Sequence, residues 1–179
     1  MPKTSIGIIG GTGLYEIDGF ENAQWVRIES NFGEPSDELL IGDFEGHRLV
    51  FLPRHGRGHR IPPTEINYRA NIEILKKAGV DRIVSFSAVG SLKEEHKPGD
   101  FVLVDQFVDR TFAREKSFFS TGFVAHVSMA DPICSTTQAV IAEAASELGL
   151  DHAVGGTYLT MEGPQFSSRA ESELYRSWG

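Results

Sequence analysis

Three short segments of this sequence carry groups that proteins use to bind an anion such as phosphate. A glycine-rich run, Gly10 to Gly13, can bring backbone amides close to an oxyanion. Arg54 and His55 open a basic segment, and Ser87 with Ala88 closes an apolar run. Because a hydroxyl donates one hydrogen bond and a guanidinium group donates two in a planar fork, the segments together predict a phosphate-binding cup.

Each segment also has a simpler structural interpretation. The glycine run alone is as readily a plain tight turn, and the basic segment Arg54 to Arg60 is otherwise a solvated loop. The composition favours binding by the basic segment, because the chain has a net charge of −8 and a pI near 5.2. The same acidic balance argues against a general nucleic-acid surface, which needs clustered Lys and Arg.

Other nucleotide-binding motifs do not fit the glycine run. A Walker A loop requires Lys after its last glycine, and no Lys follows Gly13 at that place. The dinucleotide fingerprint Gly-x-Gly-x-x-Gly fails from Gly11 because Glu16 stands at its last position, and it also fails from Gly7 and Gly10. The sequence therefore excludes a nucleotide triphosphatase of this type and leaves a Rossmann dehydrogenase as a weak runner-up.

Neither a metal centre nor a nucleophilic serine is expected. His55 and His59 have the spacing that suits zinc on a helix, but Gly56 and Gly58 between them disfavour a helix. Ser87 lacks the Gly-x-Ser-x-Gly elbow of hydrolases, so its hydroxyl is expected to donate to an oxyanion instead. We therefore expect no metal and no cofactor.

Apolar runs predict the strands that deliver these segments. Residues 5–9 lead directly into the glycine run, and residues 48–52 end just before the basic segment. Ligands of open α/β sheets bind beyond the carboxyl ends of strands, so the three segments are expected to converge at one edge. The predicted strands, with a hairpin turn at 43–46, are 5–9, 39–41, 48–52, 82–87, 100–107 and 153–160.

Helical patterns alternate with these strands. The spacing of Ile72, Leu75 and Ala78, with Gly79 as a stop signal, predicts a helix over 67–78. Two further helices are predicted over 136–148 and about 169–178, the second opened by a Ser-x-x-Glu capping box. Residues 109–130 follow neither period, so a long loop is predicted there. The alternation indicates the α/β class.

The chain as a whole predicts one domain, residues 1–179, in a soluble protein. No repeat, low-complexity tract or linker interrupts the pattern. Cys134 is the only cysteine, so an intrachain disulfide is excluded and a reducing compartment fits. The first apolar run, Ile6 to Ile9, is too short for a signal peptide or a membrane span. We therefore expect a cytoplasmic location, with neither membrane nor nucleic acid as a partner.

Phe166 is an aromatic residue that stands where a flat ligand can stack. It lies with Ser167 and Ser168 just before the last predicted helix. An aromatic ring at such a place can stack on a heterocycle. The simpler interpretation is a hydrophobic staple that packs on its own helix, which is the usual outcome for a lone aromatic residue there. The predicted phosphate cup shifts the balance toward a heterocyclic ligand.

Six motifs, taken in order along the chain, carry a family resemblance. They are Ile8-Ile9-Gly10-Gly11-Thr12-Gly13, Arg54-His55-Gly56, Asn67-Tyr68-Arg69-Ala70-Asn71, Ala88-Val89-Gly90-Ser91-Leu92, Pro98-Gly99-Asp100, and the run from Glu162 to Glu171. Together they resemble the 5′-methylthioadenosine phosphorylases, a group within the trimeric purine nucleoside phosphorylases. The match is specific and runs from about Ile6 to Gly179.

The resemblance implies which residues bind phosphate. The implied contacts are Thr12, Arg54, His55, Ser87 and Ala88. Family members often have Thr where this chain has Ser87, and the hydroxyl is retained. Inorganic phosphate is implied to be a co-substrate and not a cofactor.

The resemblance also implies nucleoside contacts. Phe166 would line the purine, and Ser167 occupies the position where relatives that prefer 6-oxopurines typically carry Glu, which favours adenine. His126 would reach across a subunit boundary toward the 5′-methylthio group, with His59 nearby. A homotrimer is therefore implied, because the neighbouring subunit would complete the site.

The resemblance implies a twisted mixed sheet flanked by helices and the phosphorolysis of 5′-methylthioadenosine, in methionine and purine salvage. The products would be adenine and 5-methylthioribose 1-phosphate. In the family a further segment follows the position of Gly179 and supplies a Met-Thr pair and an Asp loop. The Asp that protonates the leaving base is thus expected beyond Gly179, and no catalytic residue is assigned within 1–179.

Two rival hypotheses stay open beside this one. The first is a non-catalytic fragment that binds phosphate or assembles with a complementary C-terminal chain. The second is a methylthioinosine or general purine nucleoside phosphorylase, which would differ in its choice of base.

Overall fold

The computed structural model describes residues 4–11 and 17–179. The chain forms two compact units, of which the first comprises residues up to 88 together with 115–118. The second unit comprises residues 89–114 and 119–179. This division does not test the predicted single domain, which stays a prediction.

The first unit is built on a mixed sheet with one helix and one short 3-10 turn. Strand β1 is parallel to both β4 and β5, whereas β3 is antiparallel to β2 and β4, in the order β2-β3-β4-β1-β5. The 3-10 turn spans Pro63–Glu65. The strands are β1 Ser5–Gly10, β2 Glu21–Val26, β3 Leu39–Phe44, β4 His47–Pro53 and β5 Arg82–Ser85, and helix α1 is Tyr68–Lys77.

Alternating side chains of β3 and β4 divide the core of this unit between two faces of the sheet. Helix α1 covers one face with Ile74 and Leu75, both fully buried. Asn67 begins the helix, because its side chain accepts a hydrogen bond from the Ala70 amide. Buried residues on the helix side are Leu39, Ile41, Val50, Leu52 and Ala78, and those on the other face are Leu40, Leu49 and Phe51.

The second unit contains two pairs of short parallel strands and two helices. Strand β6 pairs with β8, and β7 pairs with β9. Helix α3 begins with a full capping box, in which Ser168 and Glu171 each bond the other's backbone amide. The elements are β6 Phe101–Leu103, β7 Gln106–Arg110, α2 Ser135–Glu147, β8 His152–Val154, β9 Thr157–Met161 and α3 Arg169–Ser177.

These elements confirm the α/β class and correct several predicted boundaries. The strand predicted at 100–107 is two strands, and so is the one predicted at 153–160. Gly155 and Gly156, at φ +93° and +123°, interrupt the second run in a conformation that other residues avoid. Strand β2 is missing from the prediction because its first four residues, Glu21 to Gln24, include three polar ones and form no apolar run. Within the part of the chain that the structure describes, no helix is long and apolar enough to cross a membrane.

Candidate functional site

The carboxyl ends of three strands of the first unit lie at the same edge of its sheet. Strand β1 pairs in parallel with β4 and β5, so that Gly10 lies opposite Pro53 and Ile9 opposite Ser85. The segments that follow these strands carry the residues predicted to bind an anion. Thr12, the third residue of the glycine-rich run Gly10 to Gly13, lies outside the described residues.

Backbone hydrogen bonds continue across this edge beyond the strands. The Arg54 amide donates to the Gly10 carbonyl at 3.2 Å, and the Phe86 amide donates to the Ile9 carbonyl at 2.9 Å. Segments that sequence separates by more than thirty residues are thereby fixed beside one another. This convergence is the arrangement that ligand sites of open α/β sheets require.

The Arg54 side chain reaches from the end of β4 to the end of β5. Its Nη1 donates to the Phe86 carbonyl oxygen at 2.7 Å, and its Nε donates to Nε2 of His55 at 3.2 Å. These bonds orient the guanidinium plane and leave further N–H groups of the fork able to donate to an anion. Sequence reasoning missed the role of Phe86, because a backbone carbonyl leaves no mark in the residue type.

The His55 ring is held in one tautomer by two hydrogen bonds. Its Nδ1 lies 2.9 Å from the Ile61 carbonyl, which only accepts, so Nδ1 carries the proton and Nε2 accepts from Arg54. Burial lowers the pKa of His55, the positive charges of Arg54 and His59 add to that effect, and the bond to Ile61 opposes it. The ring is therefore neutral near pH 7 and orients Arg54, which leaves the backbone amide of His55 to contact an anion.

His59 lies against His55 in the same loop. The two rings stack with centroids 4.3 Å apart and planes 20° from parallel. The backbone closes this turn with amides of Arg60 and Ile61 that both donate to the His55 carbonyl at 3.0 Å. The loop therefore contains no helix, as the glycines at 56 and 58 had indicated.

Ser87 and Ala88 follow β5 after one intervening residue, Phe86, and are both exposed. Their neighbour Phe86 is the residue that Arg54 contacts, so the structure brings Arg54, His55, His59 and Ser87 to one edge of the first unit. A hydroxyl, a guanidinium group and backbone amides at one sheet edge are suited to an oxyanion.

The second unit carries the other predicted residues. Phe166 is 91% exposed, so it does not pack on its own helix and the staple interpretation is wrong. The Ser167 hydroxyl lies 2.7 Å from the hydroxyl of Ser172 on α3, which fixes its orientation relative to that helix. His126 is exposed in the segment between β7 and α2, where the described residues form neither helix nor strand after Arg110.

Glu162 fastens the start of the segment that carries Phe166. Its buried carboxylate accepts the amides of Phe112 at 2.6 Å and Ala113 at 3.1 Å. Hydrogen bonds from the Ala113 and Phe112 amides, aided by the Arg114 guanidinium and opposed by burial, lower the pKa of Glu162. The carboxylate is therefore ionised near neutral pH and holds the backbone.

A family model described as the phosphorylase superfamily matches residues 5–179. The chain belongs to this superfamily. It is 60% identical over 177 residues to S-methyl-5′-thioadenosine phosphorylase of Cereibacter sphaeroides, a match that covers 99% of this chain and 61% of the relative. It is 58% identical to the protein of that name from Rhodospirillum rubrum, covering 97% of this chain and 59% of the relative.

Solved structures give the same result. A methylthioadenosine phosphorylase from an antarctic soil metagenomic library matches with a TM-score of 0.93 and 48% identity, covering 99% of this chain and 63% of that one. The Schistosoma mansoni methylthioadenosine phosphorylase in complex with adenine matches with a TM-score of 0.93 and 36% identity, covering 99% and 72%. The family resemblance of the motifs is thereby confirmed, and the chain spans about three fifths of the length of the two curated relatives.

Proposed function

We propose that the protein is a pentosyltransferase that cleaves 5′-methylthioadenosine with inorganic phosphate to adenine and 5-methylthioribose 1-phosphate. The observation that carries the proposal is the Arg54 guanidinium, which Phe86 and His55 hold at the edge of the sheet. Relatives at 60% and 58% identity named for this activity support the choice of substrate.

Phosphate is itself the nucleophile of this reaction, so the protein mainly has to hold it in position. As the bond from ribose to adenine stretches, the sugar becomes oxocarbenium-like, and an oxygen of phosphate bonds to its anomeric carbon. The leaving adenine takes up a proton. Arg54, Ser87, Thr12 and the backbone at His55 and Ala88 would hold the phosphate dianion against the sugar, supplying proximity and electrostatic stabilisation.

The nucleoside contacts would come from Phe166, Ser167, His126 and His59. Phe166, with 91% of its surface exposed, offers a face on which adenine can stack. Ser167 presents a hydroxyl whose direction Ser172 sets, and a neutral hydroxyl suits adenine better than a carboxylate would. His126 and His59 are proposed to contact the 5′-methylthio group.

The proposed setting follows from the same family. We propose a cytoplasmic homotrimer acting in methionine and purine salvage, in which the neighbouring subunit contributes to each site. The single cysteine, Cys134, suits a reducing compartment.

An assay of phosphate-dependent adenine release tests the proposal. The purified protein is incubated with 5′-methylthioadenosine, with and without phosphate, and adenine and the sugar phosphate are quantified by chromatography. We expect equal amounts of the two products and none without phosphate. Adenine released without phosphate would show hydrolysis and contradict the proposal, and comparable turnover of methylthioinosine would remove Ser167 from base selection.

Two measurements on the 179-residue chain distinguish an enzyme from a non-catalytic fragment. Calorimetric titration with inorganic phosphate measures the binding half of the function, and the assay above measures turnover. Phosphate binding without turnover, with activity restored by a complementary C-terminal chain, would support the fragment hypothesis.

A further inference from the structure

Asp37 is a buried carboxylate that bonds the loop carrying Arg54 and His55. Its side chain is 4% exposed, and one of its oxygens accepts the Arg57 backbone amide at 2.6 Å. The other oxygen accepts Nε and Nη2 of Arg57 at 3.1 Å and 2.7 Å. Asp37 thereby holds both the backbone and the side chain of Arg57, with charge-assisted bonds that are about twice as strong as neutral ones.

A buried network fastens Asp37 to the core of the first unit. The Ser36 amide donates to Oδ1 of Asn71 at 2.8 Å, and Nδ2 of Asn71 donates to the Ser36 hydroxyl at 2.9 Å. Asn71 belongs to α1, whose residues Ile74 and Leu75 are fully buried against the sheet. The backbone beside the Asp37 carboxylate is therefore held rigidly against helix α1.

Two further contacts bring the loop close to Ser36 and Asp37. Nη2 of Arg60 donates to the Ser36 carbonyl at 3.3 Å and lies 3.8 Å from Asp37. At Gly56, which has φ +69°, a Cβ atom would lie 3.1 Å from the Ser36 carbonyl oxygen. The Arg57 guanidinium also lies 4.1 Å from the centroid of the Trp25 ring, a cation–π contact.

We propose that Asp37 is a positioning residue for phosphate, which sets the loop of residues 53–61 so that Arg54 and the backbone at His55 meet the anion. The inference rests on the proposed function. Asp37 lies outside the motifs of the family resemblance, and it acts through Arg57 without touching the substrate. A displacement of about 1 Å in a substrate-holding group can cost as much as 100-fold in rate, so a loosened loop affects phosphate first.

The charge of Asp37 is suited to this task. Burial raises the pKa of its carboxyl, but the hydrogen bonds from the Arg57 side chain and backbone and from the Glu38 amide, together with the charge of Arg57, outweigh burial, so the pKa lies below its ordinary value. The carboxylate therefore stays ionised across the neutral range. Replacing it with an amide keeps the shape and removes the charge on which the Arg57 bonds depend.

The test compares D37N with E38Q in the same protein. Glu38 is a matched control, because it also pairs with Arg57, at 3.0 Å, but is 38% exposed and therefore contributes little. We expect D37N to raise the Kd of inorganic phosphate and the KM for phosphate about tenfold, with the nucleoside KM within about twofold. We expect E38Q to stay within about twofold on all three quantities.

The outcomes separate this inference from the proposed function. Wild-type protein that binds no phosphate would overturn both, whereas D37N protein that binds phosphate as tightly as the wild type would overturn only the positioning role. An equal loss for phosphate and nucleoside would also overturn it, since that is the result of a merely structural role.

A second variant covers the case in which D37N does not fold. R57Q removes the guanidinium bonds while the backbone bond to Asp37 remains, and Arg57 is 43% exposed. We expect R57Q to raise the phosphate Kd about threefold, between the wild type and D37N. An unchanged Kd in a folded R57Q protein would contradict the proposal.

Discussion

Replacing Arg54 with Ala should raise the phosphate requirement far more than the nucleoside requirement. The side chain bridges the ends of β4 and β5 through its bond to the Phe86 carbonyl, at 2.7 Å, and its remaining donors are suited to an anion. Truncation removes those donors and their positive charge. The nucleoside contacts proposed at Phe166 and Ser167 are unaltered.

The expected increase in the phosphate KM of R54A follows from the hydrogen bonds that are lost. Hydrogen bonds to charged groups contribute about 1.5–3 kcal/mol each. The loss of one such bond to phosphate therefore predicts an increase of roughly 10- to 150-fold in the phosphate KM, because about 1.4 kcal/mol corresponds to a factor of ten. R54K should recover part of this increase, since an ammonium group keeps the charge but not the planar fork.

The assay is steady-state phosphorolysis at varied phosphate and then at varied 5′-methylthioadenosine, with the fold checked by circular dichroism. Arg48 provides a matched control, because it lies at the start of β4, opposite Ser5 of β1, whereas Arg54 follows the other end of that strand. R48A has the same change of charge and should leave both KM values within about twofold. If R54A raised both KM values equally, Arg54 would not belong to the phosphate cup.

Three further predictions concern base choice, pH dependence and the core. S167E should shift turnover from the adenine nucleoside toward methylthioinosine, measured as the ratio of the two kcat/KM values, and an unchanged ratio would contradict the role of Ser167. Hydrogen bonds from Ser30 and Asn31, opposed by burial, lower the pKa of Glu73 to about 2 from 4.5, so its contribution to stability is complete above pH 4.5 and is lost as the pH falls toward 2. Urea unfolding at pH 7 and pH 3 should therefore show a smaller loss of stability in E73Q than in the wild type, and equal losses would refute the assignment. I74A should lower the free energy of unfolding by about 2–5 kcal/mol because Ile74 is fully buried, and a loss below about 1 kcal/mol would mean that the core around Ile74 is not tightly packed.

Local structure was predictable wherever adjacent residues determine it. The hairpin turn after β3 lies at Glu45 and Gly46, whose φ values of +45° and +82° suit the tight turn predicted for 43–46. The capping box that opens α3 was legible in the letters of Ser168 and Glu171, and both of its bonds are present. Such features depend on contacts a few residues apart, which sequence spacing records.

Boundaries and contacts that depend on distant partners were not predictable. The run 153–160 was predicted to be one strand, but its two glycines make a break where the Gly156 amide donates to Asp105 at 3.1 Å. Strand β2 forms although half of its residues are polar, because β3 provides its backbone partners. In both places hydrogen bonds to residues distant in sequence outweighed the local strand propensity.

The same distinction between local sequence and distant contacts applies to the candidate site. From the sequence alone came the groups suited to phosphate, the aromatic residue suited to a purine, and the family to which their order belongs. Only the tertiary structure decided that the Arg54 side chain bonds the Phe86 carbonyl, that the neutral His55 ring accepts from Arg54, and that Asp37 bonds the loop through Arg57. The reason is physical: residue types state which bonds a group can make, whereas its actual partners depend on which distant segments the fold brings within about 3 Å.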